Sequence, residues 1–77
     1  MIKVLLFAQL QESAGKSEVS LDGAGLTIAQ LKARLSTDFH LEGLDSVMTA
    51  VNEEFADDET ALEDGDTVAF IPPVSGG

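Results

Sequence analysis

The chain reads as a small α+β domain, a mixed sheet of about four to five strands packed on one main helix. Three observations predict this. The opening octapeptide alternates with a period of two, one stretch after Thr27 repeats its apolar residues at helical spacing, and Thr67 to Ile71 is again strand-like. Seventy-seven residues make a single domain. A chain of this size buries only about 60% of its unfolded surface, so it needs an efficient layered core and is not expected to hold an independent catalytic cleft.

Met1 to Ala8 is rich in β-formers, and its alternation puts Ile2, Val4 and Leu6 on one face and Lys3, Leu5 and Phe7 on the other. Lys3 prefers water, so Phe7 is expected to be partly exposed, the first hint of an apolar contact patch. Leu10 to Lys16 reads as a connection, and Ser17 to Leu21 as a second strand that closes a hairpin across a long loop. After the break at Asp22-Gly23-Ala24-Gly25, Thr27 and Gln30 have the spacing of a capping box. Ile28, Leu31 and Leu35 then form the apolar face of a helix that covers the sheet and ends near Ser36 to Phe39. His40 to Leu44 reads as irregular.

Val47 to Val51 is expected to be the third strand, followed by a tight turn at Asn52-Glu53-Glu54 and a short fourth strand at Phe55-Ala56, with Phe55 exposed. Asp57 to Leu62 reads as a loop or single helical turn, and Glu63-Asp64-Gly65-Asp66 has strong turn chemistry. Thr67 to Ile71 supplies the last strand. If the first and last strands lie side by side, the ordering resembles a β-grasp, or ubiquitin-like, domain. The expected organisation is a domain over residues 1–73 and a flexible tail over 74–77.

Composition narrows the functions available. Fourteen acidic residues against four basic ones give a formal charge of −10, which opposes nucleic acid and anionic membranes and favours a basic protein partner. No apolar run approaches the length of a membrane span, and the opening strand is followed by Gln9, Gln11 and Glu12 instead of a cleavage site, so no signal peptide is expected. Cysteine is absent, which suits a reducing cytoplasm. Among side chains, His40 reads as solvated or capping. Asp57, Asp58 and Glu59 do not reproduce the alternating ligands of a calcium loop, and no metal site is expected.

With so little side-chain chemistry, the best candidate for reaction is the terminus itself. The sequence closes on Gly76-Gly77, shortly after Pro72-Pro73. A terminal diglycine alone is weak, since roughly one chain in two hundred would have it by chance. Its surroundings add to it. Proline fixes φ and extends its predecessor, so Pro72 and Pro73 aim the chain outward. Val74, Ser75, Gly76 and Gly77 could then reach roughly 13 Å, at about 3.3 Å per residue, into a narrow slot of a partner. Two glycines without Cβ atoms permit close approach to the Gly77 carboxylate. A frayed terminus without function is the plain alternative.

Three segments together, Ile2-Lys3-Val4-Leu5-Leu6-Phe7-Ala8, Ala50-Val51-Asn52, and Asp64 through Gly77 with its Pro-Pro-Val-Ser-Gly-Gly ending, resemble the small, sulfur-carrying subunits of molybdopterin synthase. The similarity spans essentially the whole chain. One departure follows the first strand, where many relatives carry Arg-Glu and this chain has Gln11-Glu12; it touches a surface contact and leaves the tail mechanism intact.

The resemblance implies a mechanism. An adenylyltransferase resembling the ubiquitin-activating class would use ATP to join Gly77 to AMP, and sulfur transfer would convert the mixed anhydride into a thiocarboxylate. The tail would then enter the large synthase subunit and deliver sulfur to cyclic pyranopterin monophosphate, two transfers building the dithiolene of molybdopterin. The family assembles as a heterotetramer of two small and two large subunits, with the general acids and bases on the partners and no cofactor bound by the small chain. By the same resemblance, Phe7, Phe55 and Ile71 are candidates for the apolar docking patch; strand packing is the competing explanation, most of all for Ile71. Alternatives are the sulfur carrier for thiamine thiazole synthesis, a ubiquitin-like modifier joined through Gly77 to lysines, and an interaction module with an inert terminus.

Overall fold

The computed structural model describes residues 1–41 and 43–73, with the Asp45 side chain left aside. Five strands form one sheet: β1 (Ile2–Leu6), β2 (Glu18–Leu21), β3 (Met48–Val51), β4 (Glu54–Phe55) and β5 (Thr67–Ile71). Two helices, α1 (Gln9–Ala14) and α2 (Ile28–Phe39), and a 3-10 turn at Leu44–Ser46 complete the described elements. The strand order is β2-β1-β5-β3-β4. First and last strands are neighbours and run parallel, Val4 opposite Val68 and Leu6 opposite Phe70, while every other pairing is antiparallel. This is the mixed β-grasp sheet anticipated above.

Parity along the strands decides the core. Ile2, Val4, Leu6, Val68 and Phe70 are at most 1% exposed, and they meet Ile28, Leu31 and Leu35 of α2 in one cluster with Val19, Leu10, Leu41, Leu44 and Leu62. Burying each such side chain contributes about 1.5–3 kcal/mol. The capping box of α2 forms in both directions: Gln30 N donates to Thr27 Oγ1 at 3.2 Å and Thr27 N to Gln30 Oε1 at 2.9 Å. Two further amides at that helix start, Ile28 N and Ala29 N, donate at 3.0 Å to the Thr60 and Asp58 carbonyls. The loop after β4 therefore satisfies the donors that a helix N-terminus leaves open, and the Lys32–Asp58 ion pair at 2.8 Å tightens the same junction.

Several expectations are corrected. Leu10 to Lys16 is not a plain connection: α1 occupies it, because Leu10 is buried and Ala14, four residues on, packs against the core. Gly15, at φ 75°, ends this helix in the left-handed region where glycine carries no Cβ penalty. Strand boundaries shift by one residue at β2, β3 and β4, so Ser17, Val47 and Ala56 lie outside them. His40 caps α2 at φ 55° and is exposed, which fits its capping role. Asp57 Oδ1 accepts from Glu59 N at 3.1 Å and from the Thr60 hydroxyl at 3.2 Å, so this acidic run is organised as a turn. Gly23 is buried, and a Cβ there would stand 3.1 Å from Ile2 Cγ1, which ties the loop after β2 to the core.

The hairpin between β3 and β4 turns on two residues, Asn52 at φ 51° and Glu53 at φ 72°. Turns of this kind favour Asn then Gly. Asn52 suits its place, and its side chain also bridges to the last strand: Nδ2 donates to Asp66 Oδ1 and Oδ1 accepts from Thr67 N, both at 3.0 Å. Glu53 holds a left-handed conformation that costs a residue with a Cβ about 1–2 kcal/mol.

Candidate functional site

One face of the sheet carries the helix; among the described residues no element covers the other. Its polar end is the row Ser20, Lys3 and Thr67. The next row runs Glu18, Leu5, Ala69, Ala50 and Phe55 across all five strands. Beyond it Ile71 lies opposite Met48, and Phe7 follows directly on β1 at the same end. The outer face thus grades from polar to apolar in the direction in which β5 runs toward the tail.

Exposure follows the same gradient. Phe55 is 77% exposed, Met48 50% and Phe7 43%, while Leu5, Ala50, Ala69 and Ile71 are half-buried. Contiguous apolar surface of this kind marks contact sites more than it marks ordinary monomer surface. The three residues proposed for docking, Phe7, Phe55 and Ile71, all belong to this face. Ile71 turns outward because Phe70 beside it is the residue that fills the core. Ala8, at φ 52°, turns the chain off β1 so that Leu10 drops into the core while Phe7 remains outside.

Met48 belongs to the patch and was missed. In Val47-Met48-Thr49-Ala50-Val51 apolar residues occupy both parities, so alternation alone does not orient the strand. The buried Thr49, opposite Phe70, orients it and leaves Met48 and Ala50 outward. Leu5, Ala50 and Ala69 are likewise floor residues that no exposed aromatic advertised.

At the tail end of β5, Pro72 is buried and Pro73 exposed. Pro72 is thus packed into the domain at the end of β5, and the exposed Pro73 follows it. Val74, Ser75, Gly76 and Gly77 lie outside the described residues.

Charge is distributed unevenly. Ion pairs among the described residues join the N-terminal ammonium to Asp64, Lys32 to Asp58, and Arg34 to Asp38 at 3.6 Å. Lys16 sits 5.9 Å above the Phe39 ring. The basic side chains other than Lys3 are therefore engaged away from the outer face, and most carboxylates have no cation. Asp66 has its carboxyl pKa lowered from 3.8, first by the Glu63 amide that donates to it and then by the Asn52 side chain. No helix among the described residues is long and apolar enough to cross a membrane.

Comparison with known proteins agrees with this architecture. The molybdopterin synthase sulfur carrier subunit of Chlamydomonas reinhardtii is 43% identical, covering 99% of this chain and 98% of that protein. The crystal structure of SAMP1 from Haloferax volcanii superposes with a TM-score of 0.76 at 31% identity, over 99% of this chain and 98% of that one. A protein complex of subunits 1 and 2 of molybdopterin-converting factor from Helicobacter pylori contains a chain that matches with a TM-score of 0.70 at 26% identity, over 99% and 97%. The ThiS family matches residues 4–77, and this chain belongs to it.

Proposed function

We propose that this protein is the sulfur carrier subunit of a molybdopterin synthase, and that Gly77 is adenylated, thiocarboxylated and then used as the sulfur donor to cyclic pyranopterin monophosphate. The observation that carries the reading is directional. The outer sheet face becomes apolar toward the end of β5, where Phe7, Met48 and Ile71 gather, and the chain leaves the domain at that same end through Pro72 and Pro73. A partner seated on this face would border the end of β5, after which residues 74–77 follow in the sequence. Sulfur carrier relatives with matching length and a two-subunit complex of a similar fold support the assignment.

Each group then has a role. A carboxylate is a poor electrophile, so ATP converts Gly77 into an acyl adenylate, releasing pyrophosphate, and a sulfur nucleophile displaces AMP. Gly76 gives backbone clearance around the reacting carbonyl; Ser75, Val74, Pro73 and Pro72 hold it at a fixed reach from the docked domain. Phe7, Phe55, Ile71 and Met48 supply apolar contact. The partners supply acid-base groups and phosphate binding: an adenylyltransferase of the ubiquitin-activating type, and a large synthase subunit in a heterotetramer of two small and two large chains. The reading is of a cytoplasmic protein.

Intact-mass spectrometry after incubation with activating enzyme, ATP and a sulfur donor tests the proposal. Exchange of one oxygen of the chain for sulfur is expected, followed by molybdopterin when the large subunit and pterin precursor are added. Deleting Gly77 abolishes both and leaves the melting curve unchanged; product formation by that variant would refute the role of the terminus. The likeness to Haloferax SAMP1 favours a second reading, a modifier whose activated Gly77 is taken by a lysine amine. Lysine-linked conjugates in cells, without product in the synthase assay, would select it.

A further inference from the structure

The outer face is not evenly apolar. Between the polar and apolar rows lies a shallow groove of about 370 Å³, lined by Leu5, Ala50, Asn52, Glu53, Thr67 and Ala69. Its floor is low because two of the five residues in that row, Ala50 and Ala69, are alanines. Its lining has one charged side chain, that of Glu53. That residue is exposed and holds φ 72° at a turn position where glycine would be free of strain. Asn52, the other turn residue, is explained by its bonds to Asp66 and Thr67. Glu53 accepts no side-chain hydrogen bond and joins no ion pair among the described residues, so nothing among them accounts for it.

We propose that Glu53 is a recognition residue of the docking face, and that its carboxylate receives one basic side chain, Arg or Lys, of the protein that covers the sheet. An apolar stem would lie along Leu5, Ala50 and Ala69 while the cationic head meets Glu53 and the Thr67 hydroxyl, the division that long basic side chains make between stem and charge. A second copy of this chain is a poor occupant, since each carries a formal charge of −10 and the copies repel. Lys3, in register with Thr67, is the basic residue of this chain nearest the groove by strand position, and it makes no ion pair among the described residues. Backbone strain at Glu53 is then kept for recognition, at the expense of stability.

The inference rests on the sulfur carrier reading, and a comparison of variants separates the two. Binding of the full chain to a large molybdopterin synthase subunit is measured by calorimetry at low and high salt, with thermal melts alongside. Glu53→Gln keeps the melting temperature, weakens low-salt binding roughly tenfold and flattens the salt dependence. Glu53→Gly raises the melting temperature by a few degrees, yet binds as weakly as Glu53→Gln. Wild-type affinity and salt slope in Glu53→Gln overturn the proposal. So does an equal loss of melting temperature in Glu53→Gln and Lys3→Gln, which would make Glu53 an internal partner of Lys3. Phe7→Asp is the control for the face itself. If it weakens binding and Glu53→Gln does not, the recognition role alone falls; if neither does, the docking reading falls with it.

Discussion

Phe55→Ala separates recognition from folding more sharply than any other single change. Phe55 is 77% exposed and lies in β4, a two-residue edge strand, so it contributes little to the core. A phenylalanine can bury roughly 200 Å², so about 150 Å² remains for a partner to cover. At about 25 cal/mol per Å², complete coverage would contribute about 4 kcal/mol. Truncation to alanine leaves a methyl group in contact, and binding converts area to affinity incompletely. A loss of about 2 kcal/mol remains, some thirtyfold in Kd. Folding should change by no more than about 0.5 kcal/mol, the usual range for an exposed site. Calorimetric titration against the large subunit reads the first quantity and urea unfolding the second. A Kd within twofold of wild type would remove Phe55 from the interface. A stability loss above about 2 kcal/mol would make it a packing residue.

Other consequences follow from the inner face and its turns. Thr27→Ala removes one half of the capping box and should cost about 1 kcal/mol, or some 4–8 °C in Tm, with unchanged docking, since α2 lies behind the sheet; an unchanged melt would mean that the Thr60 and Asp58 carbonyls alone hold the helix start. Asp66 has a folded pKa below 3.8 because Glu63 N and Asn52 donate to it. The ionised form is therefore favoured by folding, and its contribution is present above the unfolded pKa and lost as pH falls through the folded value. Chemical unfolding at stepped pH should show wild type exceeding Asp66→Asn at about pH 6, with the gap closing below about pH 3.8. A gap that stays constant into strong acid would deny Asp66 its hydrogen-bonded role.

The parts of the fold that were legible are those written in periodicity or in paired signals. Ile2, Val4 and Leu6 alternate cleanly, Ile28, Leu31 and Leu35 repeat at helical spacing, and Thr27 with Gln30 announces the cap before any contact is known. The adjacency of β1 and β5 is not local information; it entered as the condition under which the element order resembles a β-grasp, and the register Val4 to Val68 meets that condition. Helix α1 escaped because six residues hold a single apolar repeat, Leu10 and Ala14, too short to separate from a loop. At the site, Phe7 and Phe55 were visible as large apolar residues beside polar ones. Met48, Leu5, Ala50 and Ala69 were not, because their meaning depends on which face each strand turns outward and on neighbours that lie far away in sequence.

That dependence also explains how so small a chain can carry a core and a separate apolar outer face at once. In β5, Val68 and Phe70 are buried while Thr67, Ala69 and Ile71 face outward; in β1, Val4 and Leu6 are buried while Lys3 and Leu5 face outward, and Phe7, just past the strand end, is exposed. The core and the outer face proposed for docking therefore use interleaved residues of the same strands, and the period of two keeps them apart. A one-residue slip would exchange the two sets, exposing Phe70 and burying Lys3, so the register that stabilises the core also fixes which residues form the outer face proposed for docking. Substitutions that keep parity can alter one property without the other. The large apolar residues of the outer face, Phe7, Met48 and Phe55, are 43–77% exposed, and on the docking proposal a partner would cover that surface. The tail leaves from the strand whose register is fixed on both sides, by β1 and by β3. Pro72, buried at the end of this strand, thus inherits the rigidity of the sheet centre, which on the docking proposal would fix where residues 74–77 begin relative to a partner on the outer face.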